Sequence, residues 1–69
     1  MSADDHDRTE RIAELDHELR TPLAAISGYA ELLATRDDEA MRLEAARMIT
    51  ASAQRLRVTL DRLLAELAE

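Results

Sequence analysis

Residues Ile12 to Leu33 read IAELDHELRTPLAAISGYAELL, and the spacing of the apolar residues in this stretch decides the fold. Ile12, Leu15, Leu19, Pro22, Ile26, Tyr29 and Leu33 follow one another in alternating steps of three and four. That alternation is an a/d heptad seam, the pattern of a helix laid along another helix. Leu23, Ala30 and Leu32 widen the stripe, as expected for a helix buried by more than one neighbour. Pro22, at a d position, removes one backbone hydrogen bond and gives the helix a place to bend.

Downstream, Thr35-Arg36-Asp37-Asp38 punctuates the pattern. Thr35 and Asp37 are N-cap types, and acids in a first turn suit the helix dipole. A second stripe follows: Met41, Ala45, Met48 or Ile49, Ser52, Leu56, Leu60 or Thr59, Leu63 and Leu67. Arg57 with Asp61, and Arg62 with Glu66, stand four apart and suit weak surface ion pairs. Upstream, Met1 to Asp7 is polar and acidic and reads as a flexible lead-in. The organisation expected is therefore a lead-in over 1–7 and one domain over 8–69. Within it, helix 1 spans about 8–34, a loop covers 35–38, and helix 2 spans about 38–68. A short loop between long helices makes an antiparallel hairpin. Two hairpins together would cover the wide stripes, so the fold class is all-α: a two-helix hairpin that homodimerises into a four-helix bundle.

Composition agrees and narrows the function. Ala (13) and Leu (11) dominate the apolar residues of the 69-residue chain, and both favour helix. A single domain of this length buries a marginal core, and with no cysteine it has no disulfide staple and no Cys-based zinc site. One glycine excludes a Gly-rich phosphate cradle. One aromatic residue and a net charge of −6 argue against a nucleic-acid surface. The acidic excess lies at the front: residues 1–18 hold seven acids and two arginines. The polar start does not resemble a signal peptide. His6, in the lead-in, stands eleven residues from His17, so the two histidines form no i,i+4 ligand pair for a metal. No metal site is expected.

The chemistry concentrates in Asp16-His17-Glu18-Leu19-Arg20-Thr21-Pro22-Leu23. With Ile12 at a, His17 falls at f, pointing away from the seam. Glu18 lies beside it, Thr21 follows one turn later on nearly the same face, and Asp16 and Arg20 stand at ion-pair spacing. An exposed neutral imidazole is a nucleophile. A neighbouring carboxylate fixes its tautomer and stabilises developing positive charge. A hydroxyl one turn away is placed to hold a water.

His17-Glu18-Leu19-Arg20-Thr21-Pro22-Leu23 resembles the H-box of two-component sensor histidine kinases. Over about residues 9–68 the chain is similar to their dimerisation and histidine-phosphotransfer domain, of the HisKA type. The resemblance implies that His17 accepts the γ-phosphoryl group of ATP on Nε2 and passes it to a response-regulator aspartate. It implies that Glu18 orients and activates the imidazole. Thr21 matches a position that aligns water in phosphatase action, and Pro22 matches the position where the first helix bends. Arg20 matches a common basic position. Asp16 stands where the family usually has Ser, and pairing with Arg20 is the role expected of it.

The resemblance also implies partners: a second copy of the chain, the ATP-binding catalytic domain of the same kinase, and a response-regulator receiver domain. No nucleic acid is expected. No cofactor is expected on these residues, since ATP and Mg²⁺ would be held by the separate catalytic domain, and the chain alone should not autophosphorylate. A cytoplasmic setting is expected, in a parent that membrane anchoring would also suit. Two other readings fit the same residues: a purely structural dimerisation module, and a stand-alone histidine phosphotransfer protein without kinase activity of its own.

Overall fold

The computed structural model describes residues 3–68 and consists of two helices, α1 (Ala3–Thr35) and α2 (Glu39–Ala68), joined by the three residues Arg36, Asp37 and Asp38. The helices lie against each other as the expected hairpin, 54 × 21 × 11 Å in extent. The shortest dimension is that of a single helix with its side chains. The hairpin is therefore a slab one helix thick, and everything it buries lies along one line between α1 and α2.

That line is narrower than the stripes in the sequence. On α1, Leu15 and Pro22 are buried, seven residues apart, flanked by the half-buried Arg11, Glu18, Leu19, Ala25, Ile26 and Tyr29. On α2, Ala45, Ser52 and Thr59 are buried, again seven apart. Small side chains at all three positions let the helix axes approach closely, and Ala45 has no solvent exposure at all. Met41 and Met48 are half-buried fillers beside them. No fully buried side-chain nitrogen or oxygen among the described residues lacks a hydrogen-bond partner.

Several seam assignments are corrected. Thr59 is 3% exposed and faces α1, whereas Leu60 is 45% exposed and faces outward. Ile12 and Leu67, both placed on the seam by their spacing, are 61% and 74% exposed. Leu23 and Leu33 are exposed as well. The wide stripe on each helix is two stripes side by side. One faces the other helix of the hairpin. The second faces out, through Ile12 and Leu23 on α1 and Leu60, Leu64 and Leu67 on α2; Leu33 and Leu43 are exposed outside it.

The helix ends differ from expectation in ways the local chemistry explains. α1 begins at Ala3, taking in Asp5 to Asp7, where composition suggests a lead-in; Met1 and Ser2 lie outside the described residues. Acids in a first turn favour helix through the macrodipole. His6 and Glu10 pair at 3.0 Å, and the Thr9 hydroxyl donates to the Asp5 carbonyl at 2.9 Å. At the far end the Arg36 N–H donates to the Leu32 carbonyl at 2.9 Å. The Thr35 hydroxyl turns back to the carbonyls of Glu31 and Leu32, at 3.2 and 3.3 Å, so it does not cap α2.

Asp37 is not the cap either; its carboxylate takes the Arg42 guanidinium. The N-cap is Asp38, whose Oδ1 accepts the Met41 N–H at 2.7 Å while its carbonyl accepts the first helical bond from Arg42 at 3.1 Å. Pro22 sits inside α1, which is continuous on both sides of it. It is the largest side chain that is fully buried, so it serves as a core residue as well as an interruption in hydrogen bonding. Lacking an N–H, it leaves the Glu18 carbonyl without its usual helical donor.

Candidate functional site

His17, Glu18, Thr21 and Pro22 occupy two consecutive turns near the middle of α1. They do not share one environment. Pro22 points into the seam and is buried, Glu18 lies at its border and is half-buried, and His17 and Thr21 are exposed. This follows from helix geometry. Positions 15, 18 and 22 line the face toward α2, and 17 and 21 are rotated away from it. The imidazole makes no hydrogen bond or ion pair with any described residue, so it is open to a partner that approaches from solvent.

The groups around His17 are all engaged. The Thr21 hydroxyl donates to the His17 carbonyl at 3.1 Å. Its hydrogen is thus committed to the helix backbone, and its oxygen lone pairs remain as acceptors. Arg20 Nε donates to Asp16 Oδ2 at 2.8 Å, the ion pair expected from their spacing. Glu18 crosses the seam: Arg62 Nη2 on α2 donates to Glu18 Oε2 at 2.9 Å.

One turn and a half nearer the open end, Arg11 makes a fork. Its Nη2 and Nε donate to Glu66 Oε1 and Oε2, the latter at 3.2 Å, and its Nη1 reaches Glu14 Oε2 at 3.0 Å. The hydrogen bond from Arg11 holds the Glu66 carboxyl below the usual carboxylate range, against a smaller opposing effect of desolvation, with further help from the charges of Arg11 and Arg62. The same bonds raise the proton affinity of the Arg11 guanidinium.

Arg62 and Glu18 are the pairing that the sequence does not suggest. Spacing along one helix favours Arg62 with Glu66 and Arg57 with Asp61. Neither forms an ion pair in the structure; Arg62 goes to Glu18 and Glu66 goes to Arg11, both across the seam. The usable signal is heptad phase. All four residues border the buried line, where charges pair between helices, but the match requires the antiparallel register, which the link and its cap set.

An all-α hairpin that presents one free imidazole on a solvent-facing turn defines the class. A phosphoryl carrier needs an exposed nucleophile on a rigid element. The chain matches the family model of the His Kinase A (phospho-acceptor) domain over residues 7–66, and it belongs to that family. This is the dimerisation and phospho-acceptor domain of two-component histidine kinases, whose members homodimerise and work with a catalytic domain. No curated protein and no solved structure matches the chain.

Proposed function

We propose that His17 is the phospho-acceptor. One observation carries this reading: of the two histidines in the chain, His17 alone lies within the span that matches the family, and its imidazole is exposed and unbonded among the described residues. His6 lies outside that span and is paired with Glu10. In the reaction, Nε2 of the neutral ring attacks the γ-phosphorus of ATP. The N–P bond forms as the bond to the ADP oxygen breaks, and the Nδ1 proton leaves toward a carboxylate. Glu18 is the carboxylate next in sequence, and it orients the ring and stabilises the positive charge that develops. A response-regulator aspartate then attacks the same phosphorus, and the imidazole leaves. Thr21, whose hydroxyl oxygen keeps its acceptor capacity, is placed to hold water when the phosphorylated regulator is hydrolysed. Pro22 is where α1 bends between signalling states, because the Glu18 carbonyl has already lost its helical donor.

ATP and Mg²⁺ belong to the catalytic domain that works with this one; the chain supplies the acceptor and does not phosphorylate itself. The outward apolar residues, above all Leu60, Leu64 and Leu67, support a second copy of the chain as the partner that completes a four-helix bundle in the cytoplasm. The test is to incubate the chain with a histidine-kinase catalytic domain and Mg-ATP and measure acid-labile, base-stable phosphate. The wild-type chain takes up label and His17→Gln takes up none; label retained by His17→Gln overturns the assignment. Label gained from a phosphorylated regulator but never from the catalytic domain would favour a stand-alone phosphotransfer protein, and label from neither a structural dimerisation module.

A further inference from the structure

Three carboxylates crowd His17: Glu14 one turn before it, Asp16 immediately before it and Glu18 immediately after it. Unbalanced, such a group would draw a proton onto the imidazole and remove the lone pair a nucleophile needs. Each of the three is matched by an arginine. Glu14 pairs with Arg11 at 3.0 Å, Asp16 with Arg20 at 2.8 Å, and Glu18 with Arg62 at 2.9 Å. The first two partners come from α1 itself and follow wherever that helix goes. The third comes from α2, forty-four residues away in sequence.

Only one of the two Glu18 carboxylate oxygens, Oε2, receives Arg62; Oε1 has no partner among the described residues. We propose that Arg62 is a positioning residue for Glu18. It balances the charge of the carboxylate next in sequence to His17 and holds it by one oxygen. This rests on the reading that His17 is the phospho-acceptor.

The charged groups around this pair form an alternating ladder across the seam. Glu14 neighbours Glu18 on α1 at i,i+4, where two like charges repel. Arg11 takes Glu14 and Glu66, and Arg62 takes Glu18 while its charge also acts on Glu66. Asp61 precedes Arg62 on α2 and has no ion pair among the described residues. Removing the Arg62 charge therefore leaves Glu18 with Glu14 one turn away on α1 and Glu66 on the facing helix, and with no cation of its own. The carboxylate then turns to the nearest alternative, a protonated imidazole.

The test uses phosphoramidate, which phosphorylates imidazole without a kinase. The ring nitrogen attacks phosphorus, and the P–N bond to ammonia breaks. The ammonia leaves and carries off the ring proton as ammonium. Initial rates of phosphohistidine formation are measured against pH in a His6→Gln background, which leaves His17 as the one imidazole, for the otherwise wild-type chain, Arg62→Gln, Arg62→Lys, Glu18→Gln, the Arg62→Gln/Glu18→Gln double variant and His17→Gln.

Arg62→Gln is expected to move the acid limb of the profile upward in pH and to lower the rate on that limb by roughly threefold to tenfold, because the neutral fraction of the ring falls there in proportion to the rise in its proton affinity. Arg62→Lys, which keeps the charge, restores most of the rate. In the Glu18→Gln background the Arg62 substitution has no further effect. Arg62 is 57% exposed, and Gln is a comparable helix former, so the fold is expected to survive, checked by circular dichroism. An unmoved profile for Arg62→Gln, an equal effect with and without Glu18, or loss of helical signal each overturns the proposal. If instead His17→Gln takes up phosphate at the wild-type rate, the phospho-acceptor reading fails, and that result is distinct from the others.

Discussion

The two ends of the hairpin are held by different forces. At the link, three residues, the Asp38 cap and the Asp37–Arg42 pair join the helices through short-range bonds. Close to it, Ala45 is fully buried. Away from the link, Leu15 and Thr59 are buried, Leu19 and Leu63 are half-buried, and two ion pairs cross the seam: Arg11 to Glu66 and Arg62 to Glu18. The link end is set by contacts between residues only a few positions apart in sequence, its Asp38 cap and Asp37–Arg42 pair included. The open end depends on charges near water, which salt screens and acid removes. His17 lies near the middle of α1, next in sequence to Glu18 of one of these cross-seam pairs.

Leu15→Ala should test this contrast most severely. Truncating a buried leucine costs about 2–4 kcal/mol, and Leu15 is 7% exposed. Denaturant unfolding should show the loss, and amide hydrogen exchange should place it around Leu15 and the α2 residues facing it, away from the link. Uniform exchange along both helices would mean the two ends are not separable. Asp38→Ala should cost about 1 kcal/mol, the usual worth of an N-cap. Its effect should fall on the first amides of α2 and leave exchange near His17 unchanged.

Acid should have the smallest effect and the most selective one. The folded-state affinity of Glu66 for a proton is depressed, so its contribution is present above the unfolded carboxylate value of about 4.5 and is lost as pH falls below it through the folded value. Exchange near Arg11 and Glu66 should quicken over that range, and on adding salt at neutral pH it should quicken there more than at the link. Equal loss at both ends would break the comparison.

How much of this the sequence carries depends on the range of the interaction. The helices, the short link and the antiparallel pairing are legible because they rest on periodicity and punctuation within a few residues. The H-box is legible for the same reason: its seven residues are contiguous, and heptad phase places His17 outward, where the structure has it. The choice of Thr59 over Leu60 for the buried line is not legible. Hydropathy favours leucine, but the inner stripe needs small residues for close approach, and leucine serves the outer stripe. The pairing of Glu18 with Arg62 is equally hidden, because local spacing offers Arg62 the nearer Glu66. Which carboxylate it takes depends on register across forty-four residues. The start of α1 is missed because acidic residues read as coil by composition, yet they suit a helix N-terminus by charge.

With only Arg36, Asp37 and Asp38 between them, α1 and α2 need no long loop closure to meet. Helical topologies with such local contacts fold in about microseconds to milliseconds. Encounter with a second copy at about 1 μM and a typical association rate of about 10⁶ M⁻¹s⁻¹ takes on the order of a second. The order of events is therefore set by time. Each chain closes its hairpin, with the arginines already seated around His17, well before it finds a partner. Newly made chains pass through a stage in which the imidazole is assembled and the dimer is not.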